Sequence, residues 1–143
     1  MKKLKLSNVA TVTVFGLFVC AFVFTSAKYE KVQDEWIVPS FAKNLKNPTD
    51  PTDGDGLFMG KSLYAKNCKS CHGKSGKGDG TNSKELKTFP GDFTTEEFQL
   101  QTDGEIFYKT REGRDDMPTF KKIISEDENV WFVVNYIRTF SGN

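Results

Sequence analysis

The chain has 143 residues, 37% of them hydrophobic, and a formal net charge of +1. That length holds one domain of modest size, and the near-neutral balance excludes a generally basic, nucleic-acid-seeking protein. A core built from so few apolar residues calls for a staple such as a cofactor or metal, and the 13 phenylalanines would line it with flat rings.

Lys2, Lys3 and Lys5 precede an uncharged stretch from Leu6 to Ala27, whose apolar heart runs from Val9 to Phe24. A basic start followed by an apolar run is the pattern of an export signal. Thr25, Ser26 and Ala27 offer the small residues of a peptidase site, so 1–27 reads as a cleaved signal peptide. The rival reading is an uncleaved membrane anchor through residues 9–25, because the apolar run approaches spanning length. Either way this apolar targeting helix delivers the rest of the chain across the cytoplasmic membrane, to the periplasm or the outer face of the membrane, soluble or N-terminally anchored. Nothing amphipathic in the run suggests a core helix. Cys20 reads as apolar filler.

Residues 28–54 are punctuated by Pro39, Pro48 and Pro51 among Asn47, Asp50, Asp53 and Gly54, and read as an arm or linker. Within it Trp36-Ile37-Val38-Pro39 either packs onto the domain or belongs to a tether. The compact domain is expected over 55–143. Leu57, Tyr64 and Ala65, with Gly60 between, recur at helical spacing and predict a helix running into Asn67. Glycines at 73, 76, 78 and 80, then Pro90, predict a long loop. Thr102 to Glu105 forms a capping box opening a helix that carries Ile106 and Phe107 and ends near Gly113. A second box, Ser125 to Glu128, opens the last helix, whose stripe is Val130, Val133, Val134 and Ile137 with Trp131 and Tyr136 on its flanks. No alternating strand pattern competes, so the class is all-α.

Setting the N-terminal segment aside leaves one cysteine pair, in Cys68-Lys69-Ser70-Cys71-His72. This is the C-x-x-C-H pattern of covalent haem attachment. Two thiols add across the two haem vinyl groups as thioethers, and the adjacent histidine becomes an axial ligand of the iron. A zinc site needs four ligands, and His72 is the one histidine of the chain. A thioredoxin-like pair lacks its βαβ context, and a plain disulfide is the remaining structural alternative. The sixth iron position needs a second ligand or stays open. Met59 lies on the helix before the motif, whereas Met117, followed by Pro118, sits in a short loop able to fold back over the haem. Thioether ligation favours reduced iron and raises the potential. The structural alternative for Met117 is core filler at the base of a loop.

These features together resemble a class I monohaem c-type cytochrome over 55–143. The resemblance rests on Gly60-Lys61-Ser62-Leu63-Tyr64, the haem motif, the loop Gly76-Lys77-Gly78-Asp79-Gly80, Asp103 to Phe107, Met117-Pro118, and Trp131 through Arg138. It implies a cytochrome c fold, several helices wrapped around one covalent haem c, with first and last helices crossing so that Gly60 and Tyr64 meet Val133 and Tyr136. It implies Cys68 and Cys71 as thioether sites and His72 and Met117 as axial iron ligands. It makes Pro90 the counterpart of a proline after the haem histidine, in a loop where some backbone carbonyl holds the other ring nitrogen of His72.

The function implied is an electron carrier, iron cycling between ferrous and ferric while shuttling single electrons between respiratory-type redox partners. A haem peroxidase is the enzymatic alternative. It needs an open sixth site and an acid–base group, for which Arg111, Arg114 and Glu112 are weak substitutes. A gas or redox sensor would need an output domain. Seven lysines against two acids give Lys61 to Lys87 a formal +5, and eight acids against three bases give Asp92 to Asp116 a formal −5. Lys66, Lys69 and Lys74 flank the haem motif as a rim for an acidic partner, or as an ordinary solvated surface.

Overall fold

Polar start signals and apolar spacing divide the domain into helices. The computed structural model describes residues 34–142; the apolar N-terminal stretch expected to act in export, and its expected cleavage, lie outside the described residues. Asp53 accepts from the backbone N–H groups of Asp55 and Gly56, capping α2 (Gly54–Asn67), which follows a single turn, α1 (Ser40–Lys43). The turn α3 (Lys69–His72) continues directly after α2. After a long loop with a 3₁₀ turn at Ser83–Glu85 come the short α4 (Glu96–Gln99), α5 (Asp103–Glu112) and α6 (Asp127–Arg138). Among the described residues there is no β-strand, only an isolated bridge between Arg114 and Met117. No helix of the described residues is long and apolar enough to cross a membrane.

The expected capping box of α5 forms in full: the Thr102 hydroxyl accepts from Glu105 N–H at 3.2 Å and Glu105 accepts from Thr102 N–H at 2.8 Å. The second expected box does not form. Helix α6 starts one residue later than that pairing requires, with Glu126 at the N-cap making no side-chain cap bond, and the Ser125 hydroxyl reaches Glu126 instead. Asp127 and Glu128 still sit in the first turn, where carboxylates oppose the positive helix end. Trp131 is also no flanking residue. It is buried and stacks on Phe107 with centroids 4.1 Å apart.

The main packing is the crossing of α2 with α6. At Gly60 an added Cβ would lie 2.0 Å from the Phe132 carbonyl oxygen, so only glycine permits this approach. Phe132, rather than Val133, supplies the nearest backbone. Tyr64 then packs on Tyr136 and Phe140, centroids 5.4 and 5.3 Å away, and Val130, Val133 and Val134 are fully buried beneath.

The stretch expected as an arm or linker is packed over its described part. Val38 and Ala42 are buried. Asn47 donates to the buried Asn135 at 2.7 Å, and Asn135 donates back to Thr49 at 3.0 Å. The Thr102 hydroxyl donates to the Lys43 carbonyl at 3.0 Å. The turn residues that suggested a linker are thus spent on side-chain bonds to α5 and α6, which satisfy polar groups that burial would otherwise leave unpaired.

Candidate functional site

The end of α2 and the turn α3 set the motif. Cys68 N–H donates to the Tyr64 carbonyl at 2.9 Å, closing α2, and His72 N–H donates to the Cys68 carbonyl at 2.9 Å, closing the next turn. Residues three and four apart share a helix face, so Cys68, Cys71 and His72 come together on one turn. A turn this short exposes its carbonyl end. The glycine-rich loop covers it: Asn82, Gly80 and Gly78 N–H groups donate to the carbonyls of Ser70, Cys71 and His72 at 2.8, 3.1 and 2.9 Å. The Tyr64 hydroxyl adds a bond to the Gly73 carbonyl at 2.9 Å, joining the helix crossing to the motif.

No disulfide joins Cys68 and Cys71. Cys68 is buried, and burial, with Cys71 beside it, pushes its thiol up to about 12. Among the described residues no group of three or more His, Cys, Asp or Glu side chains is arranged to hold a metal ion, so the zinc reading lacks its ligand set.

The His72 ring stacks on Phe93, centroids 4.5 Å apart and planes 26° from parallel. Phe93 is held by its N–H to the Gly76 carbonyl at 2.7 Å and by Gln99 donating to its carbonyl at 2.7 Å. Burial drives the imidazole down to about 4, opposed by the Pro90 backbone carbonyl, which favours the protonated ring. That carbonyl does not complete a hydrogen bond, and Nδ1 is left buried without a partner. A neutral, half-buried imidazole whose enclosed Nδ1 lies near a proline carbonyl is the chemistry an axial haem ligand needs, one nitrogen to be held and the other to bind iron. The residues fit the group.

Met117 is half-buried and packs against the same apolar core that contains Cys68. Its turn is closed by Arg114 N–H to the Met117 carbonyl at 2.9 Å and Met117 N–H to the Arg114 carbonyl at 2.8 Å. Met59 instead stands 44% exposed on α2, outside that core. The Asp116 carboxylate accepts from Lys87 and Thr88 N–H groups at 2.7 and 3.3 Å. One side chain therefore joins the loop that carries Pro90 to the loop that carries Met117. Sequence reasoning missed Phe93 and Asp116. A lone loop aromatic has no periodicity to mark it, and the Asp116 bonds reach back 28 and 29 residues.

The family model for cytochrome c oxidase, cbb3-type, subunit III matches residues 59–137, more than half of the chain and the span that holds Cys68, Cys71, His72 and Met117. The chain belongs to this family. It is a monohaem c-type cytochrome domain, and its cofactor is covalently bound haem c with iron. A chain in the structure of the Kuenenia stuttgartiensis reducing HAO-like protein complex Kustc0457/Kustc0458 is similar to this cytochrome at 27% identity and a TM-score of 0.60. The similarity covers 79% of this cytochrome and 53% of that chain, so this cytochrome spans about half that chain's length. The KustC0563 c-type cytochrome is 30% identical over 57% of this cytochrome and 96% of its own length, with a TM-score of 0.49. Among curated proteins nothing matches.

Proposed function

We propose that this cytochrome is an exported single-electron carrier in which Cys68 and Cys71 form the thioethers and His72 and Met117 ligate the iron. When bound, haem c supplies one electron at a time by cycling its iron between ferrous and ferric forms. Around it the protein's own groups divide the work. In the haem-loaded protein the Pro90 carbonyl would accept from the His72 ring N–H facing it, leaving the other nitrogen for the metal. Met117 contributes a neutral thioether that favours the reduced state. The apolar core that both sides share excludes water and so holds the potential high.

The observation that carries this reading is the pairing of a motif whose Cys68 is buried in the core with a methionine turn packed on that same core. The peroxidase reading finds less support, because its acid–base candidates are engaged elsewhere. Arg111 lies 3.3 Å from Asp127, Glu112 pairs with Lys121 at 2.7 Å, and Arg114 lies over Trp36. The partner we propose is a larger redox protein, since the similar Kuenenia chain belongs to a redox complex. Lys66, Lys69 and Lys74 are exposed around the motif and would meet an acidic surface on it.

Visible absorption of the reduced protein, with and without carbon monoxide, tests the proposal. A carrier with both axial positions filled keeps its spectrum when carbon monoxide is added. Rapid uptake in the native protein would favour an open-site haem enzyme or sensor.

A further inference from the structure

The Met117 turn is a weak local structure. It has two mutual backbone bonds and no neighbouring strand among the described residues. Such a turn needs ties from outside to keep one conformation. Asp116 supplies one, to Lys87 and Thr88. Thr119 and Phe120 add bonds to the Arg111 carbonyl on its far side, and Arg114 pairs with Asp115 within the turn at 3.3 Å. A further tie comes from a strap 80 residues upstream. The Arg114 guanidinium lies 4.7 Å from the centroid of the Trp36 ring and donates to the Asp34 carbonyl at 3.0 Å. Lys109 lies over the same ring at 5.7 Å. The strap is itself anchored two residues on by Val38, which is 4% exposed.

Arg114 therefore faces two ways: its side chain is held by the strap, while its backbone N–H and carbonyl are the groups that close the turn on Met117. We infer that Trp36 is a positioning residue for the sixth haem ligand, clamping the Met117 turn through Arg114. The inference rests on the His72/Met117 ligation proposed above. Trp36 acts through Arg114, by narrowing the excursions of the turn. Its removal leaves the helix crossing and the haem attachment intact, but lets Met117 leave the iron more often.

The test uses the full-length haem-loaded protein with Trp36→Ala, Trp36→Phe, Arg114→Lys and Met117→Ala. Two readouts are followed against denaturant, the sulfur-to-iron absorption band of the ferric form and the far-ultraviolet helical signal, together with carbon monoxide uptake by the ferrous form. Trp36→Ala should retain attached haem and helical content, and lose the band well before the helical signal. Its carbon monoxide uptake should rise roughly two- to tenfold, the range a partly desolvated cation–π contact supplies. Trp36→Phe, which keeps an aromatic face for the guanidinium, should restore part of the native behaviour. Arg114→Lys, which loses the planar stacking group but keeps the charge, should resemble Trp36→Ala. If Trp36→Ala does not fold, Arg114→Lys carries the same comparison.

If Met117→Ala keeps the band, the ligand assignment fails and this inference with it. If Met117→Ala abolishes the band while Trp36→Ala and Arg114→Lys behave as the native protein, the clamp alone is overturned. It is equally overturned if band and helical signal shift together in Trp36→Ala, since Trp36 would then support only overall stability.

Discussion

The crossing of α2 and α6 and the two loops that carry His72's support and Met117 are held by different physics. The crossing is held by shape: Gly60 lets backbones approach, and Tyr64, Tyr136 and Phe140 pack edge to face around it. The loops are held by a small number of polar ties, among them three N–H groups covering the motif turn, the Asp116 bridge and the Arg114 strap contact. Packing against a well-filled core is difficult to adjust without loss of the fold, whereas single hydrogen bonds contribute about 1 kcal/mol each and can be changed one at a time. The scaffold is thus fixed and the surroundings of the proposed axial ligands are separately adjustable. A cofactor that carries electrons benefits from that division, because its potential depends on the loops and its survival depends on the crossing.

The largest change expected sits where the two regions join. Replacing both Cys68 and Cys71 by Ala should abolish covalent haem, read by haem staining on denaturing gels. If haem burial completes this small core, the resulting apo-protein should lose most of its helical signal. A helical, cooperatively melting apo-protein would mean that the crossing stands without the loops' cofactor. Next in size is Gly60→Ala, which drives a methyl group into the Phe132 backbone. It should cost about 3 kcal/mol of stability by overpacking, measured by denaturant unfolding, while leaving the absorption spectrum of the folded fraction unchanged. A spectral change without loss of stability would contradict the separation of roles.

Smaller effects lie at the start of α5. Thr102→Ala removes a cap that accepts from Glu105 N–H and donates to the Lys43 carbonyl, and should cost about 1 kcal/mol. Glu105 sharpens the same point through pH. Burial acts to raise its pKa, but the Thr102 N–H and hydroxyl, then Lys43 and Lys109, outweigh it and hold the carboxyl below its usual range. A depressed folded-state pKa stabilises above the unfolded value and loses that contribution as the pH falls through the folded one. The stability gap between native protein and Glu105→Gln should therefore be full at neutral pH and close on acidification. A gap that is constant with pH would show that charge plays no part in this cap.

The helices and the haem motif were legible in the sequence because their information is local. Periodic apolar residues, the Thr102 to Glu105 box and the C-x-x-C-H spacing each lie within a few positions of one another. The Ser125 to Glu128 pattern had the same appearance, yet the helix starts one residue along, where no side chain caps it. Pro90 was identifiable as the proline of the loop, but which loop carbonyl would hold His72 was not, and Nδ1 of that ring makes no hydrogen bond in the structure. What stayed hidden depends on tertiary placement. Phe93 becomes a stacking partner of His72 only when the loop folds back. The Asp34 carbonyl and Trp36 meet Arg114 only because residues read as a linker pack on the domain. No spacing rule links groups so far apart in the chain.

The central claim is that Met117, from its own tied loop, supplies the sixth ligand of a haem whose other side is held by His72. The most direct measurement is the sulfur-to-iron absorption band of the ferric protein in Met117→Ala and Met59→Ala. The account predicts that Met117→Ala keeps its haem but loses the band, binds carbon monoxide when reduced, and has a lower reduction potential. Met59, 44% exposed on α2, should be replaceable by Ala with the band intact. A band that persists in Met117→Ala and vanishes in Met59→Ala would reverse the assignment, and a band indifferent to both would remove methionine from the iron altogether.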